Sequence, residues 1–253
     1  MIRFFAALWL IFALPLPALA EPVTEAEARR MVAEASNDAE KLIAHERLAE
    51  ALEATDPAAA VAARMVAVET ARAMAKLQVE LTLLPDLASG QLQTGAFTDA
   101  LASIDRALEL AERTRADAPL FLLLNFQRAR ALGGLERIDE AVVHAKLALS
   151  FADEDRPKTR AGLHKLIGAL YRKAGNLSAA ADAIRTGCDE LDAYRHSSGY
   201  KALAMPHTLY EELGDVEAEL GRKAEARTAY GKAKQVLTAQ LNEAGASPGK
   251  TGL

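Results

Sequence analysis

The chain has 253 residues, 51% hydrophobic and 26% charged, the balance of a globular protein rather than of a disordered or fibrous one. Aromatic residues make up only 5%, too few for a sheet-rich core, and the abundant Ala and Leu favour helix instead, so the expected class is all-α. A formal net charge of −5 argues against nucleic acid and anionic lipid, which need clustered Lys and Arg, and the single Cys188 excludes an internal disulfide.

In chain order, residues 1–20, MIRFFAALWLIFALPLPALA, predict a secretory signal peptide. Arg3 gives the basic start, Phe4 to Leu14 the apolar stretch, and Ala18-Leu19-Ala20 the small-residue cleavage site ahead of Glu21. The alternative is a retained anchor, but the run falls short of the ~20 residues of a spanning helix, and Pro15 and Pro17 interrupt it. Cleavage removes Arg3 and takes the net charge from −5 to −6. The mature protein is therefore expected in the periplasm, or otherwise secreted, without stable membrane insertion.

Thr24 and Glu27 form a capping box that predicts a long N-terminal helix. Asp56-Pro57 reads as a helix start, with a capping side chain ahead of proline in the first turn. It falls in a degenerate helix-pair unit over roughly 40–80 within an N-terminal segment 21–80. Four clearer units fill 81–244, at about 81–114, 122–155, 161–194 and 207–240. Pro85 and Gly90 predict a short or kinked first helix in the 81–114 unit. Arg195 to His207 is polar and reads as a loop, and the tail 245–253 reads as disordered.

The units rest on a repeated stripe. From Phe97, Ile138 and Leu177, apolar or small residues recur at 0, +3, +4, +7, +10 and +11, one face of a 3.6-residue helix. The first copy runs through Ala100, Ile104 and Ala107, the second through Ala141, Ala145 and Ala148, the third through Ala180, Ile184 and Cys188. Each striped helix follows another that ends in a turn residue: Gly95, Glu136, Gly175 and Gly221. Gly168 and Gly214 lie inside those first helices, where glycine costs about 1 kcal/mol against alanine, so each implies a close helix approach.

This pattern resembles the tetratricopeptide repeat (TPR) family. The fullest match is Tyr210, Leu213, Gly214, Gly221, Glu225, Ala226, Tyr230 and Ala233, with Ala226, Tyr230 and Ala233 as the expected buried stripe. Ile167, Gly168, Tyr171, Gly175, Ala180 and Ile184 follow, then Leu84, Leu87, Ala88, Gly95, Ala100 and Ile104, then Leu132, Glu140, Ala141, Ala145 and Ala148. Equivalent alanines at 100, 141, 180 and 226 stand 41, 39 and 46 residues apart, against a family period of roughly 34. The resemblance implies a right-handed α-solenoid of stacked antiparallel helix pairs. It also implies a protein or peptide partner in a concave groove lined by the first helices. The outward positions there are Phe126 and Arg130, then Lys165, Arg172 and Lys173, then Glu211, Asp215 and Glu219. Asn125 is near a position used by family members that grip a C-terminal carboxylate, but the rest of that set is unmatched.

Catalytic readings are weak. Gly249-Lys250-Thr251 has the ending of a phosphate-binding loop, yet position 244 is alanine and Gly245 comes one residue too late. His45, His144, His164, His196 and His207 show no metal-ligand spacing and read as surface histidines. His196-Ser197-Ser198 lacks a nucleophile elbow. Cys188 occupies a stripe position and reads as a small buried hydrophobe, and the acidic residues read as solvated helix faces. The expectation is a non-catalytic adaptor with no cofactor and no metal. The alternative is a structural subunit of a cell-envelope assembly, held by its convex face or end helices.

Overall fold

The computed structural model describes residues 23–198 and 207–245. The predicted export segment, residues 199–206 of the predicted loop and residues 246–253 of the predicted tail lie outside them. Among the described residues there are eleven helices and no strand: α1 (Glu25–Glu34), α2 (Asp38–Leu52), α3 (Pro57–Ala73), α4 (Leu77–Gln93), α5 (Phe97–Thr114), α6 (Ala118–Gly134), α7 (Ile138–Ser150), α8 (Pro157–Lys173), α9 (Leu177–Ser198), α10 (His207–Glu219) and α11 (Lys223–Gly245). The chain divides into two compact units, Met1–Ala116 and Asp117–Leu253.

In the first unit the capping box opens α1. The Glu27 N–H donates to Thr24 Oγ1 at 3.3 Å, and Glu27 Oε2 accepts the Thr24 N–H at 2.9 Å. The helix lasts ten residues and is not the long one predicted, because a second cap interrupts it. Asn37 Oδ1 accepts the Glu40 N–H at 3.0 Å, and Glu40 Oε2 takes the Ser36 N–H at 2.8 Å, which starts α2. Asp56 caps α3 as its sequence predicts, accepting from the Ala59 N–H at 3.0 Å. From α1 onward each helix packs on the next, as far as α5. Pro85 is buried inside α4, whose 17 residues match the length of α3, so the predicted shortening does not occur. Ala60, Ala63, Ala67 and Ala71 of α3 and Leu81, Leu84, Leu87 and Ala88 of α4 are buried. Each such leucine contributes about 1.5–3 kcal/mol through burial.

The second unit stacks three pairs, α6 with α7, α8 with α9, and α10 with α11. Ala180, Ala181, Ile184, Cys188 and Leu191 of α9 share one core cluster with Leu209, Tyr210, Leu213 and Val216 of α10 and with Ala229, Ala233 and Val236 of α11. The interior glycines account for the closeness. A Cβ added at Gly168 falls 2.4 Å from Ile184 Cγ1, and one added at Gly214 falls 2.5 Å from Tyr230 Cε1. A side chain at either place would require Ile184 or the Tyr230 ring to move. Ala226 and Ala233 are buried as predicted, but Tyr230 is 41% exposed. Its ring lies against Gly214, and its hydroxyl donates to Asp215 Oδ1 at 2.7 Å.

In the four pairs α4–α5, α6–α7, α8–α9 and α10–α11 the turn carries a left-handed residue. Gly95, Gly175 and Gly221 have φ of 77°, 75° and 74°, and Glu136 takes the same turn at 62°. Beyond the predicted 161–194 unit, α9 continues helically to Ser198, so Arg195 does not begin a loop, and α11 reaches Gly245.

Candidate interaction surface

The predicted partner-facing residues lie on the first helices of the second unit. Phe126 and Arg130 are one turn apart on α6, which puts them on one face. The exposed Arg130 guanidinium stands 5.8 Å from the centre of the half-buried Phe126 ring. Such a cation–π contact contributes about 0.5–1 kcal/mol at an exposed site. The neighbouring Asn125 is buried. It donates to the Phe121 carbonyl at 2.8 Å, and its oxygen stands 2.9 Å from His144 Nδ1. Its amide is therefore engaged inside the pair rather than offered to a carboxylate.

On α8 the predicted cations are tied to neighbouring helices. Lys165 Nζ stands 3.3 Å from Glu212 Oε2 of α10. Two turns along, Arg172 Nε donates to Glu219 Oε2 at 3.3 Å, with a second contact to Oε1. Lys173 Nζ donates to the Gly133 carbonyl at the end of α6 at 2.7 Å. Arg172 and Lys173 also fall in the last turn of α8, where cations suit the helix dipole. Asp215 holds the Tyr230 hydroxyl, and Glu211 is exposed. The two ion pairs are solvent-accessible and contribute at most about 1 kcal/mol each. Their consequence is steric and electrostatic: Lys165, Arg172, Lys173, Asp215 and Glu219 already have partners within the protein. Phe126, Arg130 and Glu211 remain as the outward groups of the predicted set.

The reading of all carboxylates as solvated is corrected at two places. Glu80 of α4 is 1% exposed. It accepts from Arg72 Nε of α3 at 2.9 Å and from Arg106 Nε and Nη2 of α5 at 2.9 and 3.1 Å. These hydrogen bonds, that from Arg106 foremost, hold its carboxyl below the ordinary glutamate range against the opposing effect of burial. Glu217 of α10 is likewise buried, with Arg185 of α9 and Arg222 as its partners. The signal was present in the spacing: Glu80 shares its stripe with Leu84, Leu87 and Gln91, and Glu217 shares one with Tyr210 and Leu213. A charge on an apolar stripe requires an ionic or hydrogen-bonding partner when the stripe is buried.

Two further groups are buried. His164, read as a surface histidine, packs against Gly187, with Nε2 3.4 Å from Glu190 Oε1. Burial pushes its imidazole below the usual value, against the pull of Glu190. Cys188 is buried as expected, and burial pushes its thiol up to about 12, which leaves almost no thiolate for nucleophilic chemistry. The described residues hold no group of three or more His, Cys, Asp or Glu placed to bind a metal ion. None of their helices is long and apolar enough to cross a membrane.

The class defined by this architecture is an all-α stack of TPR-like helix pairs. No family model matches the chain, and no curated protein does. Solved structures do resemble it. BtubC (BKLC) from P. vanneervenii is 16% identical with a TM-score of 0.65, over 85% of this chain and 87% of that one. A putative kinesin light chain from Podosopora anserina with nearly identical TPR-like repeats is 15% identical with a TM-score of 0.64, over 80% and 97%. MamA from Desulfovibrio magneticus is 14% identical with a TM-score of 0.57, over 79% and 97%. The likeness is one of fold.

Proposed function

We propose that the protein is an exported, non-catalytic scaffold that binds another polypeptide on the face formed by α6, α8 and α10. Helix-pair stacks characteristically use such faces for binding. The observation that carries the reading is the Arg130–Phe126 pair, an exposed cation over a half-buried ring on the first helix of a pair. An aromatic and an arginine together are the side-chain types that dominate binding energy in protein interfaces. Export rests on the N-terminal segment of the sequence.

The test is a photo-crosslinking side chain at position 123 of α6, one turn before Phe126, which leaves Arg130 and Phe126 in place, in cells making the full chain. Partner adducts are expected there and are expected to disappear when Phe126→Ala is added, with the thermal melt unchanged. Arg172→Glu is unsuited to this purpose, because it would also break the tie to Glu219. A second reading, assembly through an end helix, is favoured by Leu237 and Leu241 on α11, one turn apart and 38% and 64% exposed. Adducts formed only from a probe at 241 would transfer the interaction to that helix and overturn the first reading.

A further inference from the structure

One flank of α11 departs from its counterparts in the preceding pairs. Counted from the stripe alanine Ala180, positions −3, +1, +4, +8 and +11 of α9 are Leu177, Ala181, Ile184, Cys188 and Leu191. All are apolar or small, four are buried, and Leu177 is half-buried. Helix α7 follows the same pattern, with Val142 and Ala145 buried and Leu149 half-buried. In both cases the next helix covers its predecessor, α8 packing on α7 and α10 on α9.

Counted from Ala226, the same positions of α11 are Lys223, Arg227, Tyr230, Lys234 and Leu237, and Leu241 comes one turn later. Steps of 4, 3, 4, 3 and 4 residues keep the six on one face, and all six are exposed. Among the described residues no helix follows α11 to cover them. A face that serves only to end a stack in water is polar, whereas Tyr230, Leu237 and Leu241 are not. The side chains of Lys223, Arg227 and Lys234 make no ion pair or hydrogen bond among the described residues. On the other flank Lys232 is matched, with Nζ 2.6 Å from Asp192 Oδ2.

The pattern selects its occupant. Residues 199–206 and 246–253 contain no Asp or Glu, and residues 1–22 contain only Glu21, so these segments offer no acidic row. A second copy docked through the same face would set cations against cations. The Tyr230 ring lies against Gly214 of α10, so the stripe runs along the step between two helices, a shape that suits a third helix better than a flat bilayer. From Lys223 to Leu241 it spans about 27 Å, or five turns.

We infer that this flank of α11 receives an amphipathic helix of a partner polypeptide, acidic opposite Lys223, Arg227 and Lys234 and apolar opposite Tyr230, Leu237 and Leu241. The incoming helix sits on α11 as α8 sits on α7, and it is read through anchors three and four residues apart. The inference rests on the end-helix reading above, to which it adds the chemistry of the partner, and it uses neither Phe126 nor Arg130.

Fluorescence anisotropy of the full chain with two labelled helical peptides tests this. From its N-terminus, at the same 4-3-4-3-4 spacing, the first carries Leu, Leu, Glu, Leu, Glu and Glu, the complement of α11 for antiparallel docking. The second has Lys in place of each Glu. The first is expected to bind about tenfold more tightly, with a preference that shrinks as salt is raised. Combining Lys223→Glu, Arg227→Glu and Lys234→Glu, all at exposed positions, is expected to invert the preference with an unchanged melt. Equal affinity for the two peptides, no binding of either, or no inversion in the triple variant would overturn the inference. Binding to phosphatidylglycerol vesicles that displaces the first peptide would assign the face to a membrane and overturn it as well. Photo-adducts from position 241 that persist in the triple variant would keep the end-helix reading and overturn only the acidic partner.

Discussion

Replacing Glu136 by glycine should make the protein more stable, although it removes a side chain and adds none. Glu136 holds the left-handed turn between α6 and α7 at φ 62°, where the three equivalent turns use Gly95, Gly175 and Gly221. A left-handed conformation costs an L-residue roughly 1–2 kcal/mol. Glycine avoids that strain but gives up about 0.5–1 kcal/mol through the greater freedom of its unfolded chain. The difference favours Glu136→Gly by about 0.5–1 kcal/mol, or a rise of roughly 1–4 °C in Tm for a chain of this size. The Glu136 side chain is exposed, so its loss takes little packing with it. The reverse change, Gly175→Ala, installs the strain where it is absent and should cost about 1–2 kcal/mol. Calorimetric melts of both variants against the parent measure the two effects together. A Glu136→Gly protein that melts at or below the parent, or a Gly175→Ala protein that melts with it, would refute the assignment of strain to this turn.

Overpacking is the second expectation. Ala141→Leu and Ala226→Leu enlarge buried stripe positions, and Gly168→Val places atoms where even a Cβ lies 2.4 Å from Ile184. Each should cost on the order of 1–3 kcal/mol in a urea titration, and an unchanged midpoint would contradict the stripe. The third concerns acid. The Glu80 carboxyl titrates below its unfolded value, so the stability it provides is complete above the unfolded pKa of about 4.3 and is lost as pH falls through the folded one. Glu46 has the opposite sign. Burial raises its carboxyl to about 7, so its contribution is present below about 4.3 and is lost as pH rises through neutrality. Glu46→Gln should therefore raise the melting temperature at pH 8 relative to the parent and make no such gain at pH 4. Glu80→Gln should reduce the acid sensitivity; parallel pH profiles for parent and variants would refute both signs.

The helix pairs were readable because three independent signals agreed. The small-residue stripes gave the buried faces, the turn glycines gave the ends, and the two interior glycines required neighbours that the structure supplies in Ile184 and Tyr230. Local competition was harder to see. Ser36-Asn37 sits within a run that reads as continuous helix, and only the side-chain bonds to Glu40 show that a new helix begins there. Pro85 reads as a breaker in sequence, yet it is buried inside α4 and the helix runs on to Gln93. The surface was the least legible part. Arg172 and Glu219 are 47 residues apart, and nothing in the local pattern of either indicates that the helices carrying them lie side by side. Outward position on a helix was predictable; whether the outward charge was already matched by a neighbour depended on the stacking of pairs.

The shared Glu80 carboxylate bears on how the first unit comes apart. Arrays of repeats ordinarily melt by peeling, each member leaving its neighbour with little effect on the one beyond. Here α3 and α5 meet through a single anion carried by α4, so withdrawing either flanking helix would strip a hidden charge of part of its counterbalance. That shared anion couples the opening of α3, α4 and α5, because the loss of either arginine adds to the cost of keeping Glu80 buried.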